Sequence, residues 1–175
     1  MIKIFPLIEK ISDKKLKVLT IKCWEEAIKR GGWQKEDLDA IPFTLLPAKY
    51  VPSIVVHTNA VTESAVAMSH VITAAYASEA KVDMNILITG GILHDVGKVL
   101  EYAKENGKFV KSNLGKWVRH PVSGASLAAE MGLPVGVIHI IASHSYEGDK
   151  TLRSIEAILV HHADFANFEC LGGKA

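Results

Sequence analysis

Apolar and polar positions alternate along this chain with helical spacing from its first segment onward. Between Asp13 and Arg30 the residues Leu16, Leu19, Trp24, Ala27 and Ile28 form a broad apolar face. Asp13 stands where a helix cap belongs, and Gly31-Gly32 stand where a helix ends. A second short helix is expected after Trp33, and the prolines of IPFTLLPAKYVP then break regular structure. From Thr58 to Ala80 the chain is rich in Ala, Val, Ile and Met without glycine or proline, which predicts a long, largely buried helix. Asp83 is placed to cap the next helix, MNILITGGILHDVGK. Its Gly90-Gly91 pair weakens the helix but lets a neighbouring helix come close.

Further along, Asn106-Gly107 separates two short alternating segments and indicates a small hairpin or an irregular loop. Pro121 suits the first turn of PVSGASLAAEM, which Gly132 closes, and Pro134 opens PVGVIHIIASHS. A last helix is expected from Leu152 to Phe168, with Ile155, Ile158, Leu159 and Phe165 toward the core. The fold class is therefore all-α. Residues 1–52 read as a helical extension packed on a main unit of residues 53–170, because no flexible linker separates them. The apolar stripe of the first long helix serves the core or a homodimer contact rather than a cofactor.

Composition narrows the partners. The chain has 175 residues, enough for one buried core, and 49% of them are apolar, which excludes a disordered chain. Twenty Lys and Arg against 19 Asp and Glu leave a formal charge of +1, so nothing electrostatic demands a nucleic-acid or membrane surface. A nucleic acid remains compatible only as a substrate. Cys23 and Cys170, with no CxxC spacing, read as reduced thiols. The start of the chain has no signal-peptide pattern and its apolar runs fall short of membrane-spanning length, so the expected compartment is the cytoplasm.

Chemistry concentrates where histidine and aspartate interrupt apolar helices. His57, His94 with Asp95, His120, His144 and Asp164 are such positions, and imidazole with carboxylate suits Fe, Mn, Ni, Co or Zn. Asp95 follows an apolar and glycyl run in GGILHDVGK, and an ionised carboxylate is expensive to bury there unless a cation compensates it. A hydrogen-bonded structural His/Asp pair is the plainer alternative. For His120 that alternative is an ordinary helix-start residue, and for His144 a histidine resting on the last carbonyls of its helix. His161, one turn before Asp164, is a candidate to orient it or else a partly exposed imidazole. Glu147, Lys150 and Arg153 read as a solvated loop near the site.

The ordered set H…HD…H…H…D, carried by VVHTNAV, GGILHDVGK, WVRHPVSGASLA, IIASHSYEG and VHHADFA, resembles the HD-domain superfamily of metal-dependent phosphohydrolases. The resemblance runs from His57 to Asp164 and looks most like the HD modules of bacterial endoribonucleases and cyclic-dinucleotide phosphodiesterases. It implies an HD-type helical bundle in which His57, His94, Asp95 and Asp164 hold one divalent transition metal. His120 and His144 would add a second, with Asp95 bridging. His57 is favoured over His70 as first ligand because HTNAV resembles the family's helix start. One departure is Ser145, where several bimetallic relatives carry a second histidine.

The implied activity is hydrolysis of a phosphomonoester or phosphodiester, on a nucleotide-like or other small phosphate ester, by a metal-activated hydroxide. Asp95 and Lys98 are then the catalytic candidates, with Lys98 one turn from Asp95 as a point charge for phosphate. Two other functions fit the same residues. HD-type di-iron oxygenases use a similar ligand set, and a non-catalytic metal- or nucleotide-binding regulatory module would fit the absent histidine at Ser145. Dioxygen uptake separates the first from a hydrolase, and retention of both the His-Asp pair and the last aspartate speaks against the second.

Overall fold

In the computed structural model, which describes residues 1–76 and 79–173, helices α1 (Lys14–Gly31), α2 (Ile54–Tyr76), α3 (Met84–Leu93), α4 (Lys98–Glu101), α5 (His120–Glu130), α6 (Val135–Ser143) and α7 (Ile155–Cys170) enclose the core. A small antiparallel hairpin, β1 (Tyr102–Glu105) with β2 (Lys108–Lys111), is the one paired sheet among the described residues. Its turn uses Asn106 and Gly107 at φ 49° and 77°, both left-handed, which is the twist a two-residue hairpin turn needs. The fold is all-α.

The helix ends obey local chemistry. Asp13 accepts from the Leu16 amide at 2.9 Å to start α1, and Gly32 closes it at φ 74°. Asp83 accepts from the amides of Asn85 and Ile86 to start α3. The short helix after Trp33 is a 3-10 turn, Lys35–Asp39. The helix expected over 58–80 begins earlier, at Ile54, behind Ser53, whose hydroxyl accepts from Val56; positions 77–78 of that expectation lie outside the described residues. The last helix starts at Ile155 rather than Leu152, because the Ser154 hydroxyl caps it by accepting from Ala157. Leu152 is 93% exposed, and Ile158, expected toward the core, is 41% exposed.

Helix α3 is central and packs against α1, α2, α6 and α7. Its paired glycines serve two neighbours rather than one. A Cβ on Gly90 would fall 2.3 Å from Ile140 of α6, and one on Gly91 would fall 3.0 Å from Thr62 of α2. The helix does not run through HDVGK as its spacing predicts. It stops at Leu93, residues 94–97 form turns, and α4 comes next. Gly97 makes that break workable, since a Cβ there would lie 2.1 Å from the carbonyl oxygen of His120.

Residues ahead of Ser53 share one apolar core with the helices that come after it. Phe5, Ile8, Trp24 and Leu38 are buried in one cluster with Ile88, Ile92, Val99 and Leu127. Trp24 stacks on Phe5 with ring centroids 4.9 Å apart and donates to the Ile92 carbonyl, while Trp33 donates to the Val99 carbonyl. The loop after Leu38 is tied back by a hydrogen bond from the Phe43 main-chain amide to the Pro52 carbonyl, which brings Phe43 against α2.

Candidate metal centre

The six histidines and aspartates singled out as ligands come from separate stretches of chain and converge at one place. His57 lies in the first turn of α2, and His94 and Asp95 in the turn that ends α3. His120 opens α5, His144 comes just after the last turn of α6, and Asp164 sits within α7. Their ligand atoms form two groups suited to a metal ion: His57, His94 and Asp164, then Asp95, His120 and His144. All but the partly exposed Asp164 are buried. His70 is exposed on α2 and takes no part.

Asp95 stands between the groups and turns one oxygen to each. Its Oδ2 is 3.5 Å from His57 Nε2 and 3.3 Å from His94 Nε2. Its Oδ1 is 3.3 Å from His120 Nε2 and 3.7 Å from His144 Nε2. Asp164 Oδ1 approaches His57 Nε2 to 3.0 Å, close enough for charge to act but off the line of a hydrogen bond. Lys98 places its ammonium 2.6 Å from Asp95 Oδ2.

The rings are oriented from behind. His94 Nδ1 bonds the Gly91 carbonyl at 2.6 Å, and His144 Nδ1 bonds the Ile141 carbonyl at 2.9 Å. A carbonyl only accepts, so in each ring Nδ1 carries a proton and Nε2, which bears the lone pair of the neutral ring, faces inward. His57 is held instead by packing, its ring stacked at 4.2 Å on Phe43.

Electrostatics keep both carboxylates of this interior ionised. Burial opposes ionisation of Asp95, yet Lys98 and His94 outweigh it and hold the carboxyl well below the ordinary range. Asp164 is likewise lowered against burial, by His57 and His94. Burial also works against the Lys98 ammonium, and Asp95 reverses the balance and raises it. Two carboxylates thus remain ionised in this interior, beside Lys98. Burial lowers His57, and lowers His120 to about 4, so both rings are neutral at pH 7; His94, pulled down by burial, is raised overall by Asp95 and Asp164. The Nε2 atoms of His57, His94 and His144 and Oδ1 of Asp95 are buried without a hydrogen-bond partner. Unpartnered buried nitrogen and oxygen atoms that face one another beside ionised carboxylates suit a divalent cation.

A cavity of about 380 Å³ opens on this centre. His120, Asp164 and Lys98 line it on the polar side, and Phe43, Phe165 and Phe168 on the apolar side. Arg119 also faces it, stacked 4.1 Å over the Tyr146 ring and paired with Glu147 at 2.8 Å.

Several residues differ from what their sequence context suggests. His161 bonds the His144 carbonyl through Nδ1 at 2.7 Å, so it braces the end of α6 rather than Asp164. Arg153 is not a solvated side chain: it donates to the Ser143 and Ser145 carbonyls and to Asp149. Glu147 pairs with Arg119, and Lys150 alone of that loop's three is exposed. Phe43, Arg119 and Glu101 carry no sequence signal. Phe43 lies in an irregular stretch, and Glu101 meets its partner His120 across 19 positions of chain.

The HD domain family model matches residues 57–165. Among curated relatives, a dihydroneopterin 2',3'-cyclic phosphate phosphodiesterase of Methanocaldococcus jannaschii is 33% identical over 121 residues, 68% of this chain and 47% of that protein. Ribonuclease Y of Chloroflexus aurantiacus is 31% identical over 88 residues, 50% of this chain and 14% of that enzyme. Ribonuclease Y of Desulforudis audaxviator is 30% identical over 102 residues, 55% of this chain and 17% of its own length. The chain thus spans about half the length of the first relative and far less of the other two. No solved structure matches it.

Proposed function

The chain belongs to the HD-domain family, and on that basis we propose that it is a metal-dependent phosphohydrolase acting on a small phosphate ester. One observation carries the reading. Asp95 turns its two oxygens toward two separate histidine groups, and the inward Nε2 atoms of His57, His94 and His144 lie buried without a hydrogen bond beside that charge. We assign His57, His94, Asp95 and Asp164 to one divalent ion and His120, His144 and Asp95 to a second. Bound there, a divalent ion lowers the pKa of water toward neutrality and polarises a phosphoryl oxygen.

The chain's own groups do the rest. Asp95 draws both groups to one carboxylate, and the carbonyls of Gly91 and Ile141 keep the His94 and His144 protons on the far side of each ring. Lys98 reaches the cavity beside Asp95 and offers a compact cation to a phosphoryl oxygen. Arg119, on the same cavity, adds a planar one. Phe43, Phe165 and Phe168 make an apolar wall for the non-phosphate part of the ester. The relatives' names, a cyclic-phosphate phosphodiesterase and a ribonuclease, both describe phosphodiester cleavage and favour a diester here.

The test is turnover of bis(p-nitrophenyl) phosphate by protein loaded with Mn²⁺ or Co²⁺, beside the Asp95→Ala variant. Asp95→Ala is expected to lose both metal retention and hydrolysis. A variant that turns over at the wild-type rate would retire the mechanism. Dioxygen uptake by iron-loaded protein with no ester hydrolysis would replace it with oxygenase chemistry.

A further inference from the structure

Of the site's imidazoles, His94 and His144 each find a carbonyl three residues earlier, in the helix that ends just before the histidine. His120 has no such carbonyl, because it is the first residue of α5. Its Nδ1 is met instead by Glu101, whose Oε2 lies 2.9 Å from that nitrogen and also accepts from the His120 main-chain amide at 2.6 Å. Glu101 is 4% exposed, and a buried carboxylate that receives two bonds from one residue fixes both its backbone and its ring.

We propose that Glu101 is the positioning residue of the second group, setting the His120 proton on Nδ1 and aiming Nε2 at the ion held with Asp95 and His144. The proposal rests on the metal-dependent reading above and extends it to a residue outside the ligand set. A carboxylate behind a ligating histidine fixes the ring's tautomer and orientation and increases its basicity as a ligand. In His120 the result is visible as geometry, with Nε2 directed to Asp95 Oδ1 at 3.3 Å.

The hairpin and the loop after it hold Glu101 in place. The Glu101 carbonyl accepts from the Ser112 amide at 2.8 Å, and the Ser112 hydroxyl ties the Leu100 carbonyl to the Gly115 amide. Gly115 packs so closely that a Cβ there would lie 2.0 Å from the Glu101 carbonyl oxygen. Lys111, at the end of β2, stands 3.6 Å from the other carboxylate oxygen. The hairpin therefore braces the second group from behind.

The experiment titrates metal-free wild type, Glu101→Ala and Glu101→Gln with Co²⁺, following heat and visible absorption. Wild type is expected to take two ions. Glu101→Ala should bind one as wild type does and the other about 10–100-fold more weakly. Glu101→Gln, whose amide oxygen still accepts both bonds, should recover most of the loss. Two ions bound by Glu101→Ala with wild-type affinities would overturn the role, and so would equal weakening of both ions. A second measurement needs no variant: ¹⁵N NMR of the metal-free wild-type rings should find the His120 proton on Nδ1, and a proton on Nε2 would refute the assignment even if Glu101→Ala does not fold. Wild type that binds no Co²⁺ would instead count against the metal-dependent reading itself.

Discussion

The two histidine groups share Asp95 but are built by different means. In the first, His57 is kept in place by the Phe43 ring, a residue ahead of the family-matched stretch, and neither of its ring nitrogens has a hydrogen-bond partner. In the second, both histidines are bonded through Nδ1, one to a carbonyl and the other to a carboxylate. Packing leaves a ring some rotational freedom, whereas a directed hydrogen bond fixes tautomer and angle together. The groups should therefore respond differently to damage around them. The first depends on the Gly91 carbonyl behind His94 and on the packing around His57, the second on two acceptors.

The largest effect should come where the groups meet. Asp95→Asn keeps the shape of the side chain but removes its charge. Both ions should be lost from metal analysis, and kcat/KM for a phosphodiester should fall by about 1000-fold, since polarisation by an ion is worth several kcal/mol. Retention of both ions would erase the distinction between a shared carboxylate and two independent groups. Next, His57→Ala and His144→Ala should each leave one ion, from opposite groups, and two such proteins should differ in the visible spectrum of bound Co²⁺. Identical spectra would mean that the groups are not separate.

A smaller effect should attend the loss of a cation. Lys98→Ala removes the ammonium beside Asp95 Oδ2, and KM for the ester should rise by about tenfold or more if a charge-assisted bond to phosphate is lost. Unchanged kinetics would remove Lys98 from substrate binding. Smaller still, the groups should separate by pH in metal-free protein. His120 is lowered to about 4 by burial, so it contributes stability that is complete above its ordinary 6.5 and is lost as pH falls toward about 4. His94, opposed by burial but raised overall by Asp95, contributes stability that is complete below 6.5 and is lost as pH rises through its folded value. Urea midpoints against pH for His120→Asn and His94→Asn should therefore change slope in opposite directions; parallel curves would contradict the contrast.

Much of the fold, and the cluster of candidate ligands, is legible in the chain, for physical reasons. Caps and glycines mark α1, α3 and α5 because a helix end must satisfy free amides and carbonyls locally. The ligand candidates stand out because a charged or imidazole side chain within an apolar helix is costly without a partner. Whatever a distant segment decides is not legible. The break of α3 at Leu93 depends on α5 closing on Gly97, which no local spacing encodes. Glu101 and Phe43 take their places from partners far away in sequence, and Arg153 is drawn inward by carbonyls that only the folded turn presents. His161 is partly exposed, as one of its two readings had it, and its bond to the His144 carbonyl, 17 positions away, is of the same illegible kind.

A crystal of the protein soaked in Co²⁺, with an anomalous difference map at the cobalt edge, addresses the pairing around Asp95 directly. One peak is expected among His57, His94 and Asp164 and another among Asp95, His120 and His144. A map with no peak in coordination distance of Asp95 would contradict the shared-carboxylate arrangement.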